Sequence, residues 1–176
     1  MPTLFVTDRS NAEILLTKNF AKALVSCHNP VDGHNGNFPN APCVGFESFS
    51  GHKIAFDFAD SSPTDRFDGQ HAATEGQIKN LLTWGDSVRA LEGVVLVHCN
   101  AGIGRSPAVA FILQCLWDGE DIRAERSLAT ALAGCETGPM PNEHIVKLGD
   151  SLLSRNKQML WAVQVWNDNV ASTQMY

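Results

Sequence analysis

The chain has 176 residues, 44% of them apolar, which suits a single domain over 1–176 with a buried core. A formal charge of −6 with no long run of Lys or Arg argues against a nucleic-acid partner, and no stretch approaches the roughly 20 apolar residues of a membrane span. The five cysteines (Cys27, Cys43, Cys99, Cys115 and Cys135) follow an amino-terminal stretch that carries Asp8, Arg9 and Glu13 and no long apolar run, a pattern expected of free thiols in a reducing cytoplasm.

LFVT (4–7) and ALVSC (23–27) read as short strands on either side of SNAEILLTKNF, where Ser10 and Glu13 have the spacing of a capping box before a short helix. Residues 28–42 are rich in Asn, Gly and Pro and read as a surface loop. HKIAFDF (52–58) alternates, placing Ile54, Phe56 and Phe58 on one face of a half-buried strand. Thr74 is the expected N-cap of an amphipathic helix over 74–91 that carries Ile78, Leu81, Leu82, Val88 and Leu91. VVLVH (94–98) is apolar on both faces, as a central parallel strand is. From Pro107 the run AVAFILQCLW is apolar nearly all round, the mark of a buried helix. Further helices are expected over 121–133, 141–154 and 157–167. The alternation predicts an α/β domain with a mostly parallel sheet of about four to five strands flanked by helices on both faces.

Between the last strand and the buried helix lies HCNAGIGRS, residues 98–106. A tight loop there falls at the carboxyl edge of the sheet, where open α/β folds bind ligands. Gly102 and Gly104 let the backbone curl so that the N–H groups of Asn100, Ala101, Gly102, Ile103, Gly104 and Arg105 form a nest at a helix amino end, a natural seat for phosphate. Arg105 adds a planar fork of donors matched to two phosphate oxygens. Cys99 then lies in a positive potential that favours its thiolate, the nucleophilic form. Ser106 can donate to the sulfur when a thiolate must leave, and His98 is expected to orient the loop through backbone hydrogen bonds.

HCNAGIGRS resembles the His-Cys-five residues-Arg-Ser/Thr signature of the cysteine-based protein tyrosine phosphatase superfamily, matching it at His98, Cys99, Gly102, Arg105 and Ser106. The resemblance implies attack by Cys99 on a phosphate monoester, a phosphocysteine intermediate cradled by the loop, and hydrolysis by water, with no metal or cofactor. It implies a phosphorylated protein or a small aryl phosphate as substrate. MPNEHIVKLGDSLLSRNKQML is similar to a segment of a compact group of bacterial tyrosine-phosphatase-like proteins, and with FDFAD extends the resemblance over residues 50–160. In that group the counterpart of Asn142 faces the phosphate loop; the residues themselves equally suggest a helix cap, with Pro141 entering the first turn.

Cleavage of a phenolic ester needs a proton for the leaving oxygen. The candidates are Asp60, where the strand should end, then Asp57 inside the strand; Asp65 and Asp68 read as solvated turn residues. The spacing of Cys27, His28, His34 and Cys43 matches no zinc pattern, and Phe38, Phe46, Phe49, Trp161 and Trp166 read as packing residues. Phosphoinositide and RNA 5′-triphosphate phosphatases share the signature, but the loop lacks the lysines of the former and the chain lacks the basic groove of the latter. A catalytically silent phosphoprotein-binding relative is the remaining alternative.

Overall fold

A computed structural model describes residues 1–30, 41–65, 71–135 and 138–173. In chain order the elements are β1 (Thr3–Thr7), α1 (Arg9–Thr17), β2 (Ala23–His28), β3 (His52–Asp57), α2 (Glu75–Ser87), β4 (Val94–His98), α3 (Arg105–Asp118), α4 (Ala124–Leu132), α5 (Glu143–Leu152) and α6 (Gln158–Thr173). The described strands form one four-stranded sheet in the order β1-β4-β2-β3. Every pairing is parallel, with Thr7 opposite His98, Ser26 opposite His98 and His28 opposite Asp57, so all four strands end at one edge.

Helices cover both faces, as the sequence predicts. On one side Ala12 of α1 packs with Leu24, Leu96, Cys43 and Phe46. On the other, Val25, Val95 and Val97 meet α3, with α2 and α4 flanking it against the sheet and α5 and α6 outside. The near-continuous apolar sequence of α3 has its explanation here: each residue from Arg105 to Cys115 is buried, because this helix is wrapped by sheet and helices together. No described helix is long and apolar enough to cross a membrane.

Side-chain caps set the starts of three helices, α1, α2 and α5. Thr74 caps α2 as expected, its hydroxyl accepting from the Gln77 N–H while the Gln77 side chain accepts from the Thr74 N–H, a full capping box. The expected box at Ser10 and Glu13 is not formed. Asp8 caps α1 instead, its carboxylate accepting from the Asn11 N–H at 2.8 Å, while Glu13 pairs with Arg9 and accepts from the Val44 N–H. Pro141 does not enter the first turn of α5, which begins after the cap residue Asn142. Phe46 and Phe49 pack against α1 and its neighbours, and Trp166 lies against the main core, donating to the Pro139 carbonyl. Trp161 departs from the packing expectation: 56% exposed, it lies on the outer face of α6, since helical spacing alone cannot say which flank of an outer helix is covered. Phe38, His34 and Asp68 lie outside the described residues.

Candidate active site

The loop after β4 turns the Gly102 N–H toward the Cys99 sulfur. Its carbonyls are engaged outward: that of Asn100 accepts from the Arg9 N–H at 3.2 Å, that of Ile103 from Met140 at 2.9 Å and that of Gly104 from Asn142 at 3.1 Å. Buried His98 bonds through Nδ1 to the Cys99 carbonyl at 3.2 Å. Burial holds the His98 ring well below its ordinary value, at about 4, so it stays neutral near pH 7. Facing the interior of the loop, the Gly102 N–H and the Ser106 hydroxyl each donate to Cys99 Sγ at 3.2 Å.

Glycine is required by backbone shape at Gly102 and, at Gly104, leaves room for Asp60. Gly102 takes a positive φ of 74°, and a Cβ there would press on the Thr7 and Asp8 backbone. At Gly104 a Cβ would collide with the carboxylate of Asp60. Among the other loop residues, Asn100 is half-buried, Ala101 is exposed, and Ile103 is 41% exposed at the rim.

Arg105 opens α3 and is buried at 4% exposure, its Nη1 donating to Asn29 Oδ1 at 2.7 Å and to the Phe58 carbonyl at 3.0 Å. The structure thus draws together Cys99, Arg105, Ser106 and Asp60, the last lying three residues past β3 and directly over Gly104. Asn142 combines both readings open in the sequence: its Oδ1 caps α5 by accepting from the Ile145 N–H at 3.1 Å, while its Nδ2 donates to Asp60 Oδ1 at 2.8 Å. Asp57 faces away, accepting from Gln77 Nε2 at 3.2 Å. Asp65 lines the outer groove beside Ser62.

The register places Cys27, one residue past Ser26, beside Cys99. Burial pushes the Cys27 thiol far up, and the neighbouring Cys99 adds to the shift, so Cys27 remains a neutral thiol. Asn29 was not foreseen. A single polar residue after a strand carries no local signal, and its partner lies 76 positions away.

A groove of about 480 Å³ runs outward from the loop, walled by Ile103, Gly104, Asp60, Asp65, Met140 and Glu143. A larger cavity of about 710 Å³ lies between α1 and the turns near residue 45 and includes none of the loop residues.

No protein-family model matches the chain, nor does any curated protein sequence. Solved structures do match. PTPMT1 aligns at a TM-score of 0.57 and 12% identity over 87% of this chain and 90% of its own. DUSP15 aligns at 0.56 and 16% identity over 96% and 92%. The human tyrosine phosphatase-like serine/threonine/tyrosine-interacting protein aligns at 0.55 and 17% identity over 87% and 92%. The chain therefore has the fold of the cysteine-based protein tyrosine phosphatase superfamily.

Proposed function

We propose that this chain is a cysteine-dependent phosphatase that hydrolyses phosphate monoesters, with phosphorylated tyrosine, or tyrosine together with serine and threonine, on a protein as its substrate class. The observation that carries the reading is the convergence on Cys99 Sγ of the Gly102 N–H and the Ser106 hydroxyl, at the mouth of a loop closed by buried Arg105 and faced by the Asp60 carboxylate.

In the first step Cys99 Sγ attacks phosphorus and the bond to the leaving oxygen breaks, while Asp60 passes its proton to that oxygen. Loop N–H groups and the Arg105 guanidinium hold the three remaining oxygens and the charge that builds on them. In the second step Asp60, now a carboxylate, takes a proton from water as the water oxygen attacks phosphorus. The sulfur leaves as thiolate, stabilised by the Ser106 hydroxyl, and phosphate is released. Asn142 aims Asp60 throughout, and no metal is called for by these residues.

The flank of the loop supports a protein over a polyanionic substrate. PTPMT1 has been solved in complex with PI(5)P; here Asp60, Asp65 and Glu143 line the groove beside the loop, with no Lys or Arg in its described wall. Like charges so placed disfavour an inositol ring bearing several phosphates.

Hydrolysis of an aryl phosphate by the wild type and by Cys99→Ser, with phosphate binding measured on both, tests the reading. Turnover by the wild type and none by Cys99→Ser, with phosphate bound by each, is the expected result. A wild type that binds phosphate but does not turn over makes the site a phosphate reader and overturns the proposal.

A further inference from the structure

We infer that Asn29 is a positioning residue for Arg105: its neutral amide holds the buried guanidinium in place without neutralising it, leaving the charge for the phosphate of the substrate. The inference rests on the reading of residues 99–105 as a phosphate site.

A buried guanidinium ordinarily requires a carboxylate partner, because an uncompensated charge away from water is costly. Arg105 is 4% exposed, yet none of the ion pairs among the described residues includes it. The acceptors that hold its Nη1 are both neutral, Asn29 Oδ1 at 2.7 Å and the Phe58 carbonyl at 3.0 Å. Its Nε finds no partner among the described residues. The charge is thus fixed in space with no ion-pair partner among the described residues, and a dianionic phosphate in the loop is a group that supplies one.

Topology explains why residue 29 is suited to this. β2 lies next to β4, and Ser26 is level with His98, so the residue just past the end of β2 falls beside the loop that follows β4. Asn29 is 8% exposed there. The Phe58 carbonyl lies two residues before Asp60, so the same Nη1 joins the loop, the residue after β2 and the segment that carries the acid. The titratable groups around the guanidinium include Cys99, Asp60, Cys27 and His98, the last kept neutral near pH 7 by burial. Asp60 is hydrogen-bonded to Asn142 and forms no ion pair with Arg105 among the described residues, and burial keeps the Cys27 thiol neutral.

Replacing the amide by a carboxylate should therefore impair the site, even though it creates an ion pair. The experiment measures phosphate affinity by calorimetry in a Cys99→Ser background, and the pH profile of kcat/KM for an aryl phosphate in the wild-type background, for Asn29→Asp, Asn29→Ala and Asn29→Ser. Asn29→Asp should weaken phosphate binding on the order of tenfold and move the acid limb of the profile to higher pH, because the new carboxylate offsets the positive potential at the Cys99 sulfur. Asn29→Ala should weaken phosphate about threefold with the acid limb unmoved, and Asn29→Ser, a neutral acceptor, should recover part of that loss. A merely structural role would leave the acid limb alone in all three.

Phosphate bound by Asn29→Asp as tightly as by the wild type, with an unmoved limb, overturns the inference. Should thermal melts show that Asn29→Asp does not fold, Asn29→Ala and Asn29→Ser both matching the wild type in phosphate affinity overturn it equally. A wild type that binds phosphate without hydrolysing the aryl ester refutes the phosphatase reading alone, and the phosphate affinities still decide the role of Asn29. A wild type that does not bind phosphate at all overturns both.

Discussion

Asp57 and Asp60 differ by three positions in sequence and by their partners in space. Asp57, at the end of β3, accepts from Gln77 at the start of α2, whereas Asp60 takes the Asn142 amide and lies against the backbone of Gly104. Of the two, Asp60 is the one that lies over the loop at Gly104. Asp60→Asn should lower kcat for phenyl phosphate by about a hundredfold or more, and much less for dinitrophenyl phosphate, whose leaving oxygen needs no proton. Asp57→Asn should leave both rates within about twofold. Steady-state kinetics on the two esters checks this, and the opposite ranking of the two variants would move the acid to Asp57. The identity of Cys99, Arg105 and Ser106 as site candidates was legible in HCNAGIGRS because a phosphate loop needs its glycines, cation and nucleophile within one short segment. Asp60 was less so, since a polar run after a strand offers several carboxylates and only the third dimension shows which one meets Gly104.

At the scale of elements, β4 and its loop carry a built-in sensitivity to acid. His98 is buried and Nε2 has no partner among the described residues. Burial lowers its proton affinity from the ordinary 6.5 to about 4. As the pH falls below 6.5 the unfolded chain takes up a proton that the folded one refuses until about pH 4, so stability present above that window is lost within it, by up to about 3 kcal/mol. Urea unfolding of the wild type and of His98→Leu at pH 7 and pH 4.5 should show a smaller acid loss in the variant; equal losses would mean that other groups carry the effect.

A second prediction belongs to the loop itself. Gly104→Ala should displace Asp60 and cost activity on phenyl phosphate by about tenfold or more, with a smaller loss of phosphate affinity; loss of both in equal measure would mean that the whole loop has moved. The elements were read from periodicity where burial was complete or one-sided. α3 and β4 are apolar all round because they are covered all round, and α2 has a capping box with its amphipathic face. The start of α1 was misread because Ser10 and Glu13 mimic a cap, while Asp8 is nearer the end of β1 and Glu13 is drawn off by Arg9 and Val44.

Over the whole molecule, part of the net negative charge lies beside the loop. Asp60, Asp65 and Glu143 face the space into which a substrate chain would extend. A phosphopeptide with lysines flanking the phosphorylated residue should show a higher kcat/KM than its glutamate counterpart by about threefold to tenfold at low salt. The difference should shrink in 0.5 M salt, where screening acts over about 3–5 Å, and in Asp65→Asn/Glu143→Gln. Equal kcat/KM for the two peptides would show that the groove does not read charge. This property was not legible in the sequence, because Asp60, Asp65 and Glu143 come from two segments separated by α2, β4, α3 and α4; the fold alone makes them one wall.

The central claim is that the phosphoryl group passes through Cys99. The most direct measurement is rapid acid quench of the wild type and of Ser106→Ala turning over an aryl phosphate, followed by mass spectrometry of the peptide containing residues 98–106. A phosphoryl group on Cys99, more abundant in Ser106→Ala because the thiolate leaves more slowly, is the predicted result. Turnover with no adduct on Cys99 in either protein, or with hydrolysis retained by Cys99→Ser, would contradict it.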